Sequence, residues 1–216
     1  MDNLIWYASY GSNLQKERFL CYIEGGRARG ASFSHPGCLD KSHPVKDSAV
    51  AIHHQMYFAM HIEGWQNRGV AFIKKEEDRT VLTWGRMYLI TREQFLQVLM
   101  QENGYDPSCG SLHVDLDAVC ENGSVQVPEL LYGHIICIGS KDSYPVVTFT
   151  AGWDDSSVRY EPPGENYLRV IAEGIRETYH ISYEEIARYL AGLPGIQGNI
   201  GQESLERVIA GEVRGD

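Results

Sequence analysis

The hydrophobic pattern of this chain changes at Pro162-Pro163-Gly164. Before this point, apolar residues alternate with polar ones or form short runs between Gly, Asn and Asp, which is typical of strands. After it, apolar residues recur every three or four positions, which is typical of amphipathic helices. Strands followed by helices predict an α+β fold, in which many strands form a barrel or a curved sheet and the helices pack outside it.

The two parts of this pattern predict specific elements. The strand-like segments are Leu4–Tyr10, Ala31–His35, Val50–His61, Val70–Lys74, Val81–Ile90, Leu112–Val119, Leu130–Ile138 and Val146–Thr150. The helical segments are Asn13–Ile23, Arg92–Glu102, Glu165–Tyr179, Ser182–Ala191 and Gln202–Ala210. We expect one domain over residues 1–191 and a Gly-rich C-terminal appendage over residues 192–216.

Length and cysteine content exclude several classes of protein. A chain of 216 residues can bury a core without disulfides or metals as staples. Its five cysteines are an odd number with no C-x-x-C pair, so they fit neither a disulfide framework nor a zinc site and are expected to be reduced. No window reaches the ~18 consecutive apolar residues of a membrane span, and the run after Met1-Asp2-Asn3 is not a signal peptide. We therefore expect a cytoplasmic protein without a membrane partner.

The charge balance argues against nucleic acid as a partner. The chain carries 29 acidic and 19 basic residues, which give a net charge of −10 at pH 7. A strongly basic patch, which nucleic-acid binding requires, is missing from the sequence. An anionic ligand would need backbone N–H groups or a single Arg, because the overall field repels it.

The first candidate for chemistry is Tyr7-Ala8-Ser9-Tyr10-Gly11-Ser12-Asn13-Leu14, in which a strand runs into a glycine turn and then a helix. Ser12 stands three residues before Gln15, so it can form the N-cap of a capping box. The free N–H groups of such a first turn favour a carboxylate or an oxyanion. The alternative is an ordinary strand-to-helix turn, which also needs a glycine and a cap.

Glu102 is the second candidate, because it follows Phe95 by seven residues and shares the apolar stripe of its predicted helix. Burial and the negative end of the helix dipole should both raise its pKa toward neutrality. A general acid or base that works near pH 7 needs such a pKa. The alternative is a C-terminal glutamate that frays into water.

Two further clusters have weaker patterns. His53, His54 and His61, with Glu63 as a further ligand, could hold zinc or iron, although strand histidines packed against Tyr and Met are the commoner outcome. Cys109 and His113 suggest a thiol enzyme, but no third group that would orient them is identifiable, so an ordinary loop is expected there.

Four stretches together resemble the γ-glutamylcyclotransferase-like family, in the family's order and over nearly the whole chain. Tyr7–Leu14 resembles its N-terminal Y-x-x-Y-G-S-N-L signature. The other three are Trp84-Gly85-Arg86-Met87-Tyr88, the helix end Gln101-Glu102-Asn103, and Pro163-Gly164-Glu165-Asn166-Tyr167-Leu168 with Gly174 and Tyr183 downstream.

This resemblance implies a small closed mixed β-barrel flanked by α-helices, with the glycine loop and the glutamate facing each other across one cavity. It implies an enzyme, a transferase or lyase, in which the α-amine of a γ-glutamyl group attacks its own γ-carbonyl, closes 5-oxoproline and expels an amine. Glu102 would be the catalytic acid–base. The substrate-binding residues would be Tyr10, Gly11, Ser12, Asn13, Leu14 and Tyr167. No cofactor or metal is implied.

The leaving group stays open at this stage between an amine, an amino acid and a γ-glutamylated metabolite. Removal of a γ-glutamyl protecting group in a biosynthetic pathway would use the same residues. A protein of another class, a barrel that binds a small carboxylate or a protein partner without turnover, is the alternative. The oligomeric state is equally open.

Overall fold

A computed structural model describes residues 3–28 and 33–211 of the chain, and these residues form a mixed α+β fold. The strands are β1 Leu4–Ser9, β2 Lys46–Ile52, β3 Met56–Ile62, β4 Arg68–Ile73, β5 Thr83–Thr91, β6 Ser124–Gln126, β7 His134–Lys141 and β8 Tyr144–Thr150. The helices are α1 Lys16–Glu24, α2 Arg92–Glu102, α3 Leu116–Asn122, α4 Glu165–Tyr179, α5 Tyr183–Ala191 and α6 Gln202–Ala210. Short 3₁₀ turns cover Ser12–Leu14, Glu63–Trp65, Pro107–Cys109 and Asp155–Ser157.

Six strands form the main sheet, in the order β2-β5-β1-β8-β7-β6. Strand β1 lies at its centre, antiparallel to β5 and parallel to β8. Alternate residues of β1 enter two different cores, as the two-residue period of a strand requires. Trp6 belongs to the core that includes Leu168 of α4, while Tyr7 packs with Phe19 of α1 and Phe95 of α2 in the other core.

The closed barrel expected from the resemblance is not formed by the described strands. The hairpin of β3 and β4 is a separate two-stranded sheet, and β2 and β6 are the edges of the main sheet. Side-chain hydroxyls, rather than backbone hydrogen bonds between strands, connect this hairpin to the main sheet. Thr150 Oγ1 accepts from Ile73 N at 3.1 Å and donates to Ile73 O at 2.8 Å. Thr83 Oγ1 accepts from Met56 N at 3.1 Å and donates to His54 O at 2.7 Å.

Two tyrosines complete this hydroxyl bridge along the free edge of β4. The hydroxyl oxygen of Tyr167 accepts from Ala71 N at 3.2 Å, and the Tyr132 hydroxyl donates to Ala71 O at 3.3 Å. Buried backbone groups must find partners somewhere. Since these hydroxyls supply them, the edge of β4 needs no neighbouring strand.

Several predicted elements differ from those observed. The single strand predicted over Val50–His61 is two strands, β2 and β3, because the chain leaves the main sheet between Ile52 and Met56. The strand predicted over Leu112–Val119 is wrong: Asp115 caps α3 through the N–H groups of Asp117 and Ala118. The predicted strand Ala31–His35 begins outside the described residues, and its described end makes only a bridge between His35 and Gly26.

The C-terminal helices agree well with the sequence pattern. The predictions for α2, α4 and α6 are confirmed with the same bounds, and α5 begins one residue later than predicted, after the Ser182 capping box. In the tail, Leu205 and Ile209 of α6 are buried in the core that α4 and α5 share. The boundary between a domain and an appendage at residue 192 stays a prediction.

Helix α4 positions the N-terminal loop through one glycine. A Cβ built on Gly174 would lie 2.4 Å from both the Leu14 carbonyl carbon and the Gln15 nitrogen. Only a residue without a side chain allows this approach, because both neighbouring atoms belong to the backbone. The contact holds the 3₁₀ turn Ser12–Leu14 against the helix.

Candidate functional site

The loop after β1 forms a different turn from the one expected. The chain makes the 3₁₀ turn Ser12–Leu14 before α1 begins at Lys16. Gly11 and Gln15 occupy the cap positions, and neither helix start has a side-chain cap. The prediction that Ser12 caps the helix is therefore wrong, because the extra turn separates Ser12 from the first residue of α1.

The backbone of this loop presents free donors. Leu14 N donates to Gly11 O at 3.0 Å, so its N–H is already used inside the turn. Within the described residues, no acceptor takes the N–H groups of Gly11, Ser12 and Asn13. The Leu14 side chain is buried in the core, apart from the other loop residues. Three successive amides, rather than four, are thus available to an anionic oxygen.

Glu102 lies at the end of α2 and faces this loop. Asn13 Nδ2 donates to Glu102 Oε1 at 2.7 Å and lies 3.4 Å from the Tyr7 hydroxyl. Asn103 fixes the helix end, since its Nδ2 donates to Leu99 O at 2.8 Å and its Oδ1 accepts from Tyr132 N at 3.0 Å. The inward direction inferred from the apolar stripe agrees with this geometry.

Burial raises the pKa of Glu102, while the positive charge of Arg18 and the side chains of Tyr22 and Asn13 oppose the rise. A carboxyl with a raised pKa holds and releases protons closer to neutrality. Asn13 Oδ1 is itself buried and has no hydrogen-bond partner within the described ranges. An unpartnered acceptor and a carboxylate therefore belong to neighbouring residues that line one cavity, which suits an ammonium group.

The loop and Glu102 line one small inner cavity of about 30 Å³. Gly11, Ser12, Asn13 and Glu102 share it with Tyr10 and Tyr167, and with Tyr132, which the sequence did not point to. Of the seven predicted site residues, six line this cavity and Leu14 does not.

The two predicted tyrosines are held in place by backbone contacts. The Tyr10 hydroxyl donates to Phe149 O at 2.8 Å. Burial raises the pKa of Tyr167 to about 12, so its phenol stays protonated at neutral pH while its oxygen accepts from Ala71 N. Both side chains therefore act as rigid cavity wall.

A larger outer cavity of about 700 Å³ adjoins the inner one, and Ser12, Glu102, Tyr132 and Tyr167 line both. Aromatic residues form much of its wall, among them Tyr22, Phe33 and Trp65. Its size and its mixture of aromatic and polar groups are typical of a small-molecule site.

Arg18 is a residue of this cavity that sequence reasoning missed. It is 2% exposed, and its guanidinium carbon lies 4.7 Å from the ring centroid of Trp65. Its Nε and Nη1 atoms are buried and have no acceptor in the part of the chain that the structure describes. A signal was available: Arg18 precedes the apolar residues Phe19, Tyr22 and Ile23 on the buried face of α1, and Tyr22 follows it by four positions.

The other candidate clusters lie outside both cavities. His53 Nδ1 and His54 Nδ1 each lie 2.9 Å from a backbone carbonyl oxygen, of Val81 and Lys74 respectively. Within the described residues, no group of three or more His, Cys, Asp or Glu side chains could hold a metal ion. Cys109 is exposed, and His113 bonds Ser111 rather than the thiol. All five cysteines are free.

The described residues also include no helix that is both long enough and apolar enough to cross a bilayer.

Comparisons with known proteins give a consistent fold. No family model matches the chain. A solved structure of a γ-glutamyl cyclotransferase is 16% identical and covers 96% of this chain and 99% of its own, with a TM-score of 0.50. An uncharacterized protein from Homo sapiens is also 16% identical over 97% of this chain and 99% of its own, with a TM-score of 0.50.

A curated sequence relative is histone deacetylase 5 of Arabidopsis thaliana, 34% identical over 198 residues. The match covers 86% of this chain and 30% of that protein, so the chain spans less than a third of its length. Identities of 16% over nearly whole structures concern the fold. On this evidence the chain has a γ-glutamyl cyclotransferase-like fold.

Proposed function

We propose that this chain is a γ-glutamylcyclotransferase-type enzyme that converts a γ-glutamyl amide into 5-oxoproline and releases an amine or amino acid. One observation carries the proposal: the carboxylate of Glu102 shares a cavity with three successive backbone amides, of Gly11, Ser12 and Asn13, that have no acceptor among the described residues. The cyclotransferase named among the solved structures supports it through the fold.

The inner cavity, together with the part of the outer cavity that Ser12 and Glu102 also line, offers partners for both ends of a glutamyl head group. Its α-carboxylate, or the oxyanion that develops on the γ-carbonyl, would accept from the free amides of Gly11, Ser12 and Asn13. Its α-ammonium would donate to Glu102 and to the unpartnered Asn13 Oδ1. Binding both ends brings the α-nitrogen close to the γ-carbonyl carbon, which supplies much of the acceleration in a ring closure.

Glu102 would move the protons. As a carboxylate it accepts a proton from the α-ammonium, and the freed amine attacks the γ-carbonyl carbon to form the ring C–N bond. The tetrahedral intermediate then collapses and breaks the bond to the leaving nitrogen. Over the whole reaction the α-nitrogen loses two protons and the leaving nitrogen gains two, and Glu102 relays them.

The same wall residues would exclude water and rigidify the head-group site. Tyr10, Tyr132 and Tyr167 have hydroxyls already bonded to backbone atoms of Phe149 and Ala71. Because the Tyr10 and Tyr132 hydroxyls donate their protons to these carbonyls and burial keeps the pKa of Tyr167 far above neutrality, we assign all three to shape rather than to proton transfer. The deacetylase activity in the plant relative's name is not part of this proposal, since the match covers 30% of that protein.

The test is to incubate the protein with a panel of γ-glutamyl amines and γ-glutamyl amino acids and to follow 5-oxoproline by mass spectrometry. Release of 5-oxoproline together with the free amine in equal amounts is the expected result. If the protein binds members of the panel but releases no 5-oxoproline, it is a binding module and the proposal fails.

A further inference from the structure

We propose that Tyr88 and Arg86 of β5 are positioning residues, which hold the carbonyl end of the 3₁₀ turn Ser12–Leu14 and thereby keep the free amides of this loop directed at the substrate. The inference rests on the proposed function and deepens it. Neither residue lines the inner or the outer cavity, so both would act through the loop rather than on the substrate itself.

The carbonyl oxygens of Asn13 and Leu14 end the turn without a backbone partner. Among the described residues, no backbone N–H group donates to either oxygen. The last carbonyls of a helical turn have no partner within the turn, and buried ones must find one elsewhere. Side chains supply it here. The Tyr88 hydroxyl donates to Asn13 O at 2.9 Å, and Arg86 Nη1 donates to Leu14 O at 3.3 Å.

Contacts at the carbonyl end of the turn determine how its amide end is presented. Each peptide unit is planar, and a helical turn directs its N–H groups to one end and its carbonyls to the other. The Asn13 carbonyl shares its peptide plane with Leu14 N. That N–H closes the turn by donating to Gly11 O at 3.0 Å. If the Asn13 carbonyl is released, the turn that presents the free amides of Gly11, Ser12 and Asn13 loosens as well.

Tyr88 is a fixed donor for this purpose. Its side chain is fully buried, and its ring stacks on Phe19 of α1 with the two centroids 3.9 Å apart. Burial raises the pKa of the Tyr88 phenol, so the hydroxyl keeps its proton at neutral pH. A ring that cannot move and a proton that is not lost hold the Asn13 carbonyl in one direction.

Arg86 is held by a network of four charged side chains that sum to zero charge. Its Nε and Nη2 donate to Asp47 of β2, and its Nη1 donates to Glu177 of α4 at 3.0 Å. Lys16, the first residue of α1, completes the network: its Nζ donates to Asp47 at 2.8 Å and its backbone N–H to Glu177 at 3.2 Å. Two strands and two helices therefore fix the guanidinium that donates to Leu14 O.

The test removes one hydroxyl with Tyr88→Phe, which keeps the ring and its stacking. All assays are run well below the melting temperature of each variant. We expect kcat/KM for γ-glutamyl-alanine to fall by roughly 10- to 100-fold, the range that a displacement of binding groups by about 1 Å produces. Its calorimetric affinity should weaken by roughly 3- to 10-fold, as expected when about one hydrogen bond to the ligand is lost. Arg86→Lys keeps the charge but not the fork, so it should lower both values in the same direction.

A matched control is Tyr179→Phe. The Tyr179 hydroxyl also bonds backbone carbonyls, those of Val50 and Gly85, both at 2.9 Å, and Tyr179 lines neither cavity. This variant loses the same kind of hydrogen bond from the same sheet but leaves the loop untouched. We expect its kcat/KM and its affinity for γ-glutamyl-alanine to equal those of the parent, whatever happens to its melting temperature. An equal loss of activity in both variants would mean that Tyr88 is merely structural, and would overturn the proposal.

The outcomes separate this positioning role from the proposed function. If the parent releases 5-oxoproline and Tyr88→Phe matches it in kcat/KM and affinity, the positioning role is wrong and the cyclotransferase stands. If the parent releases no 5-oxoproline, but Tyr88→Phe binds γ-glutamyl-alanine more weakly than the parent and Tyr179→Phe do, the cyclotransferase is wrong and the positioning role stands. A parent that neither turns over nor binds γ-glutamyl-alanine contradicts both.

Discussion

Asn13 Nδ2 donates a 2.7 Å hydrogen bond to Glu102 Oε1, and 89 residues of chain separate the two partners. This contact ties the loop after β1 to the end of α2. It also leaves Asn13 Oδ1 as a buried acceptor beside the carboxylate. The inner cavity is therefore lined both by residues with acceptors, Asn13 and Glu102, and by residues with free amides, Gly11, Ser12 and Asn13.

We expect Glu102→Gln to remain folded and to lose most of its turnover. The amide keeps the size of the side chain but cannot take a proton, so release of 5-oxoproline should fall by roughly 10²- to 10⁴-fold, the usual contribution of acid–base catalysis. Affinity for γ-glutamyl-alanine, measured by calorimetry, should fall much less than turnover, because the variant loses the charge that faces the α-ammonium but keeps the free amides. A folded variant that turns over near the parental rate would show that Glu102 is not the base.

The raised pKa of Glu102 also gives opposite pH trends for activity and stability. Burial raises the folded-state pKa above the ordinary 4.5, so the folded protein holds this proton more tightly than the unfolded chain does. The stabilisation is complete below the ordinary pKa and is lost as the pH rises through the raised one. Activity should rise over the same window, as the base form appears.

Glu102→Gln isolates the stability part of this trend, since every other titrating group is shared with the parent. The melting temperature of the variant minus that of the parent should increase from about pH 4 to about pH 8. A constant difference across this range would contradict the raised pKa.

Two threonines on β8 provide a matched pair for the hydroxyl bridge. Thr150 and Thr148 are both 0% exposed, but Thr150 Oγ1 bonds Ile73 N and O, whereas Thr148 Oγ1 has no partner in the described residues. Thr150→Val should cost about 1–3 kcal/mol in the free energy of unfolding, because it leaves two backbone groups unpaired. Thr148→Val should be neutral or stabilising. Urea unfolding of both variants checks the difference, and equal losses would argue against a bridge.

Gly174→Ala should displace the 3₁₀ turn Ser12–Leu14, although Gly174 itself does not line the inner cavity. The new methyl would meet the backbone of Leu14 and Gln15 at 2.4 Å, so we expect a loss of roughly 2–3 kcal/mol and a matching fall in activity as the loop shifts. Gly192→Ala is the control, because its nearest neighbour, Tyr189 O, is 3.7 Å away and its φ is −81°. That variant should gain up to about 1 kcal/mol in thermal or urea unfolding.

We expect turnover to survive exhaustive chelation. The histidines that could have held a metal are spread apart, with His53 and His54 against carbonyl oxygens and His61 paired with Glu161 at 3.3 Å. Activity is measured before and after dialysis against a chelator. Loss of 5-oxoproline release, with recovery on adding zinc or iron, would contradict this expectation.

The sequence predicted those parts of the fold whose signals are local. Helix α4 has a continuous apolar stripe, and α5 starts at the Ser182 capping box, so their bounds follow from neighbouring residues. The separation of β2 from β3 was missed because it depends on a hydroxyl of Thr83, far along the chain, which bonds His54 and Met56. The hydrophobic pattern of Val50–His61 gives no information about these hydrogen bonds to Thr83.

In the candidate site, too, the features predicted from the sequence are those with local signals, and the features missed depend on the tertiary structure. The inward direction of Glu102 follows from its spacing to Phe95 within one helix, and the family resemblance paired it with the glycine loop. Arg18 was missed because its burial and its lack of a partner are properties of the tertiary structure, set by Trp65 and the outer wall. The Ser12 cap was wrong because the 3₁₀ turn Ser12–Leu14 precedes α1, which begins only at Lys16.

The gap between the β3–β4 hairpin and the main sheet has a consequence for how such a pocket can change between relatives. In a closed barrel, the number of strands and the stagger between them determine the diameter. Changing that diameter requires a new pairing register for all the strands. Here the spacing along β4 is set by the length of three side chains, Thr150, Tyr167 and Tyr132. Single substitutions at these positions can therefore widen or narrow the chamber while every strand keeps its pairing, so substrate range can diverge faster than the scaffold does.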